Sequence, residues 1–172
     1  MNNKALRNWL FFGVLAVLAF TTYGCGSVQH KVSFQENYAI QPDTRLEVGK
    51  VTNETGQTFD VDVVQMLTDG LSGALGEKKL LWTGGEAHKL VIDSKIVEYE
   101  KGDAFKRWLL PGWGATVLSV QAVLKDGDQS VGTAEARRTV SAGGGYTIGA
   151  WRTVFNSLAN DVVDDLVSKI PK

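Results

Sequence analysis

The side chains able to do chemistry are few: one cysteine, Cys25, and two histidines, His30 and His88. A thiol offers a nucleophile, and an imidazole offers proton transfer or a metal ligand. Neither histidine stands at metal-ligand spacing from a cysteine or carboxylate, so no zinc site is readable. A Ser-His-Asp relay would need one of them together with a Gly-x-Ser-x-Gly turn, and that motif is absent. Asp126, Asp128 and Ser130 imitate the opening of a calcium loop. Its sixth position is Val131 instead of Gly and its twelfth is Arg137 instead of Glu, so Asp126-Gly127 reads better as a hairpin turn. Gly143-Gly144-Gly145 ahead of a helical pattern suggests a phosphate loop, yet no Lys-Ser/Thr follows and no Gly-x-Gly-x-x-Gly spacing exists. These residues form no catalytic or metal-binding constellation, they imply no cofactor, and the expectation is a protein that is not an enzyme.

Cys25 has a more specific context. Lys4 and Arg7 open the chain, and an apolar run follows from Trp9 to Phe20. As a helix that run spans about 18 Å, against a hydrocarbon core of roughly 30 Å, so it reads as a secretory signal and not as a lasting membrane span. Thr22-Tyr23-Gly24-Cys25 resembles the lipobox of bacterial lipoproteins. There the thiol takes a diacylglycerol, the signal is cut before the cysteine, and the new amine is usually acylated. The resemblance implies cleavage between Gly24 and Cys25, a signal peptide over 1–24 and a membrane attachment through the lipid on Cys25. Thr22 departs from the family's usual Leu at that place, and Tyr23 is bulkier than usual. Gly26 follows the cysteine where Asp would signal inner-membrane retention, which favours an outer-membrane anchor facing the periplasm. The alternative is a soluble secreted or periplasmic chain carrying a stray thiol, a liability in an oxidising compartment.

The remaining chain must supply a folded domain. Removing Lys4 and Arg7 from 18 basic residues leaves 16 against 19 acidic, a net charge of −3 with no basic stripe, so no nucleic-acid partner is indicated. Residues 25–43 read as the lipidated cysteine and a tether, in which Val32, Phe34 and Tyr38 could add an edge strand. Residues 44–172 read as a single domain. LEVGKV is a first strand. Phe59, Val63, Met66, Leu67, Leu71, Ala74 and Leu75 recur at helical spacing, with Thr58 as the expected N-cap and an end near Gly76. KKLLW offers a short strand. HKLVIDSKIVEYE (88–100) puts Leu90, Ile92 and Ile96 on one face and Asp93, Lys95 and Tyr99 on the other. ATVLSVQAVLKD and VGTAEARRTV form a hairpin, with Gly132, Ala134 and Ala136 leaving room for a close-packed helix. From Thr147 to Ile170, Trp151, Phe155, Leu158, Val162, Leu166 and Ile170 make one apolar stripe, with Asp161, Asp164 and Asp165 on a solvated face. The expected fold is α+β, a mostly antiparallel sheet with two main helices on one face in the order β-α-β-β-β-β-α.

KRWLLPGWGA (106–115) is the most unusual stretch. Two cations precede an apolar segment broken by Pro and Gly, which reads either as a loop covering the core or as an exposed patch. In the second case Arg107, Trp108, Leu109, Leu110 and Trp113 would contact a partner protein or the membrane surface. Across Leu46 to Ile170 the chain resembles a bacterial lipoprotein family known as domain of unknown function 4410. The carrying segments are LVIDSKIVEYEKGDAFKRWLLPGWGATVLSVQAVLKDGD and SAGGG. The resemblance implies an envelope lipoprotein with no catalytic residues to carry over. The strand-helix-strand opening is also similar to periplasmic assembly lipoproteins and to auxiliary lipoproteins of lipid transporters. Two classes of function follow: a lipid-anchored, non-catalytic adaptor for another envelope protein, or an accessory carrier holding an apolar ligand between helices and sheet.

Overall fold

The computed structural model describes residues 27–36, 38–110, 112–143 and 147–168. Gly24, Cys25, Pro111 and Ile170 lie outside the described residues. The elements run β1 (Ser27–Phe34), β2 (Arg45–Asn53), α1 (Val63–Glu77), β3 (Lys89–Glu100), α2 (Ala104–Leu109), β4 (Thr116–Asp126), β5 (Gln129–Val140) and α3 (Ala150–Val167). They build one five-stranded sheet in the order β1-β5-β4-β3-β2. Only the β2–β3 pair is parallel; β1–β5, β3–β4 and β4–β5 are antiparallel. The fold is α+β, with α1 and α3 packed on each other and on the sheet.

The core is what the alternating patterns dictate. Leu118, Val120, Ala122 and Leu124 of β4 and Ala134 and Ala136 of β5 are buried, as are Leu67, Leu71, Leu158, Val162 and Leu166 of the two long helices. Small side chains on β5 let α3 lie close to the sheet, and Gly70 lets α1 approach α3. A Cβ on Gly70 would come within 3.2 Å of Ala159 Cβ and 3.3 Å of the Phe155 carbonyl, tighter than packed interiors normally allow.

Four local expectations are corrected. α1 starts at Val63, not near Thr58: the side chain of Asp62 accepts from the Gln65 amide at 2.9 Å and caps the helix. KKLLW is not a strand. Lys78 and Lys79 close the end of α1, Lys79 with φ of 57°, and the Lys79 and Leu80 amides return to Gly76 and Leu75. The segment then meets β2 as an isolated bridge between Leu81 and Leu46, the Leu46 amide donating to the Leu80 carbonyl and the Trp82 amide to the Leu46 carbonyl. Tyr99 lies in the core and not on the polar face of β3. Its register shifts between Ile96 and Glu98, and one extra residue reverses the alternation beyond it. The aspartates of α3 are paired and not merely solvated. Arg138 forks onto Asp161 at 2.9 and 3.2 Å, Lys78 reaches Asp164 at 2.5 Å, and His30 reaches Asp165 at 2.9 Å.

The sheet face away from the helices is polar. At its centre Glu98 accepts from Arg137 Nε at 2.8 Å and Nη2 at 3.0 Å, and from the Ser119 hydroxyl at 2.6 Å. The Arg137 bonds, then Ser119, hold the Glu98 carboxyl below its ordinary value of 4.5, against the opposing effect of partial burial. A depressed folded-state pKa stabilises above the unfolded value, and that contribution is lost as pH falls through the folded one. Glu98→Gln should therefore lower the melting temperature at neutral pH and flatten its acid limb below pH 4.5, the two proteins converging as the wild-type carboxyl is protonated. An unchanged acid limb would show that the fork is too well solvated to matter.

Candidate functional site

Three connections meet at one end of the sheet: 54–62 between β2 and α1, 101–115 between β3 and β4, and 141–149 between β5 and α3. The middle one is built around a short helix turned inside out. Gly102 takes φ of 68°, and a Cβ there would collide with the Ala115 carbonyl and Arg107 Nη1. Asp103 then caps α2, its carboxylate accepting from the amides of Phe105 at 2.9 Å and Lys106 at 3.1 Å. The Asp103 amide donates to the Gly114 carbonyl at 2.8 Å, closing the loop on itself, and the Gly112 amide donates to the Ser141 carbonyl at 2.6 Å.

In an ordinary surface helix the apolar stripe faces the core and the charges face water. Here Phe105, Trp108 and Leu109, at i, i+3 and i+4, are exposed at 65%, 64% and 52%, while Arg107 is only 3% exposed. Leu110, Trp113 and Ile148 extend the exposed apolar surface. Phe105 and Trp108 rings lie 5.9 Å apart, and Lys106 Nζ sits 5.6 Å from the Trp113 ring centre.

Arg107 thus departs from its expected place on the contact surface; it is the scaffold beneath it. Its Nη1 donates to the Gly114 carbonyl at 2.7 Å and to Thr116 Oγ1 at 2.9 Å, and its Nη2 donates to the Thr147 carbonyl at 2.9 Å. Thr116 Oγ1 in turn donates to the Lys101 carbonyl at 2.9 Å. One guanidinium therefore ties the β3–β4 connection to the segment leading into α3, which carries Ile148. Burial lowers its pKa, partly opposed by the nearby Asp103 charge, yet a guanidinium stays protonated in proteins. Its Nε finds no hydrogen-bond partner among the described residues. Of the other residues singled out in sequence, Trp108, Leu109, Leu110 and Trp113 come together on this exposed surface. Phe105 and Ile148 escaped sequence reasoning, although Phe105 stands at helical spacing from Trp108.

A polar network missed in the sequence sits at the opposite end of the sheet. His88 Nδ1 is 3.2 Å from Thr44 Oγ1, its Nε2 is 3.2 Å from Asp126 Oδ1, and Tyr38 donates to Asp126 Oδ2 at 2.7 Å. A hydroxyl, an imidazole and a carboxylate in series have the composition of a hydrolytic relay. Thr44, however, is fully buried, so no substrate reaches its oxygen, and the network instead pins the segment between β1 and β2 to the β4–β5 hairpin. Among the described residues, no group of three or more His, Cys, Asp or Glu side chains is gathered to hold a metal ion. No helix among them is long and apolar enough to cross a membrane.

Fold and site together define an α+β sheet-and-two-helix domain that displays an apolar loop at one sheet end. The chain belongs to the family described as Domain of unknown function (DUF4410), whose model matches residues 36–144, from the end of β1 through β5 and including the apolar loop. No curated protein matches it in sequence. Its fold is similar to two dodecamer structures of PelC from Paraburkholderia phytofirmans. One is 17% identical with a TM-score of 0.56, covering 82% of this chain and 96% of the other. The second, of a point variant of the same protein, is 18% identical with a TM-score of 0.54, covering 81% and 98%. A Xanthomonas campestris protein matched to DUF330 is 12% identical with a TM-score of 0.49, covering 81% and 93%.

Proposed function

We propose that the chain is a lipid-anchored, non-catalytic interaction module of the cell envelope, held through Cys25 on the outer membrane and facing the periplasm. The observation that carries this reading is the inside-out helix α2. Displaying Phe105, Trp108 and Leu109 to solvent while burying Arg107 is unfavourable for an isolated soluble domain, and exposed apolar patches of this kind mark contact surfaces. The single cysteine at the end of an apolar, positively preceded run supports the anchor, as does its place two residues before the first strand. A carrier of apolar ligands is less well supported. The space between helices and sheet is filled by Leu67, Leu71, Leu90, Ile92, Leu118 and Leu158, all fully buried.

The mass of the mature N-terminus from membrane fractions tests the anchor. A chain beginning at Cys25 and carrying a diacylglycerol and an acyl group, with Cys25→Ser released into the soluble fraction, is the expected result. An unmodified, soluble wild-type chain would overturn it.

A further inference from the structure

We infer that the patch of Phe105, Trp108, Leu109, Leu110, Trp113 and Ile148 seats in the surface of the bilayer to which the chain is anchored, as a second point of attachment. The inference rests on the reading that Cys25 is lipidated and names the occupant of the same surface.

The topology places anchor and patch together. Ser27, the first residue of β1, is paired with Thr139 of β5, and Thr139 is paired with Val117 of β4. Strand spacing puts Ser27 and Val117 about 10 Å apart across the sheet. Val117 follows directly on the apolar loop, and the Gly112 amide is bonded to Ser141, just past the end of β5. The link from Cys25 to Ser27 is two residues, which can span no more than about 7 Å. A lipid on Cys25 therefore brings this end of the sheet, and not the hairpin end, to the headgroups. No long tether intervenes, because β1 begins at Ser27, two residues after Cys25, inside the stretch that the sequence suggested for one.

The chemistry of the patch suits that position. Trp, Phe and aliphatic side chains with cations at their margin are the composition that settles at the headgroup–acyl boundary. Lys106 lies over Trp113, and Arg152 lies 4.8 Å from the centre of the Trp151 ring at the same end of the sheet. The Asp103 carboxylate is engaged by the amides of Phe105 and Lys106 at the start of α2. An anchored domain holds the patch against the bilayer at high effective concentration, so even a weak insertion would be populated. The strands then run away from the membrane, leaving the polar face around Glu98 and Arg137 open to the periplasm.

Tryptophan fluorescence reads the contact directly. The full-length protein, altered only by Trp82→Phe and Trp151→Phe, leaves Trp108 and Trp113 as reporters in the mature chain. It is purified from membranes, its Cys25 acylation checked by mass, and it is reconstituted in phosphatidylethanolamine–phosphatidylglycerol vesicles with or without lipids brominated in the upper acyl chain. The expected result is about two-fold or greater quenching by brominated lipid, with protection from iodide, as for rings at the interface. If the altered protein fails to fold, the difference between wild type and Trp108→Phe, Trp113→Phe supplies the same signal. Acylated Cys25 with unquenched, iodide-accessible rings would leave the anchor intact and overturn the seating. Rings shielded from both quenchers would mean that a protein surface covers the patch, which also overturns it. If Cys25 proves unmodified, the anchor reading fails separately. Quenching on added vesicles would then still support contact between patch and bilayer, and no quenching would overturn it.

Discussion

Arg107→Met should lower stability by roughly 2–4 kcal/mol, a fall in melting temperature of about 5–15 °C for a domain of this size. The side chain makes three hydrogen bonds from a 3% exposed position, and its acceptors come from Gly114, Thr116 and Thr147. Methionine fills much of the volume but donates to none of those oxygens: the Gly114 carbonyl keeps only the Asp103 amide, and Thr116 Oγ1 and the Thr147 carbonyl lose the guanidinium. The loss is bounded above because a buried cation without a carboxylate partner is itself costly to desolvate, and removing it relieves that cost. Arg107→Lys separates charge from geometry. An ammonium is a compact donor that lacks the planar fork reaching acceptors on two sides, so lysine should recover less than half of the loss. Circular-dichroism melts of the three proteins decide the matter. Equal stability of the Arg107→Met and wild-type chains would mean that the loop is held by its backbone bonds alone.

How far the sequence anticipates this molecule depends on whether the deciding contact is local. The alternation in β4 and the stripe on α3 report one buried face each, and both stripes lie where their periods place them because α1 and α3 cover only one side of the sheet. Tyr99 was legible as a strand residue but not as a core residue, since a period-two argument fails after the extra residue at Val97. KKLLW reads as a strand by composition, but its lysines are used to end α1. The apolar character of the 106–115 stretch is plain in the sequence, whereas its exposure is not. Exposure depends on Arg107 turning inward to meet Thr147, 40 positions further along the chain, and no local pattern announces that bond. The pairings of His88 with Asp126 and of Arg138 with Asp161 are illegible for the same reason.

Tyr99→Ala should be the most damaging single truncation near the site, at about 3–5 kcal/mol. The ring is 2% exposed and stands between Phe59, 5.0 Å away and nearly perpendicular, and Phe155, 5.1 Å away. It therefore couples the connection before α1 to α3, directly beneath the apolar loop. Alanine would leave a cavity bounded by two aromatic rings that cannot both move in, because one is on α3 and the other on a connection fixed at both ends. Tyr99→Phe keeps the ring and loses only the 3.2 Å bond to the Trp151 carbonyl, so it should cost about 1 kcal/mol or less. The pair also separates on the alkaline side. Burial, followed by the charge of Asp60, pushes the Tyr99 hydroxyl from 10.0 up to about 12. A raised folded-state pKa gives stability that is complete below the unfolded value and is lost as pH climbs toward the folded one. Tyr99→Phe should remove part of that loss between pH 10 and 12, the rest falling to Tyr38, whose hydroxyl is also pushed up to about 12 by burial and its bond to Asp126. Urea titrations at neutral and alkaline pH would measure both effects. If Ala costs no more than Phe at neutral pH, Tyr99 is not the link between α3 and the loop end, and the apolar surface must take its rigidity from Arg107 alone.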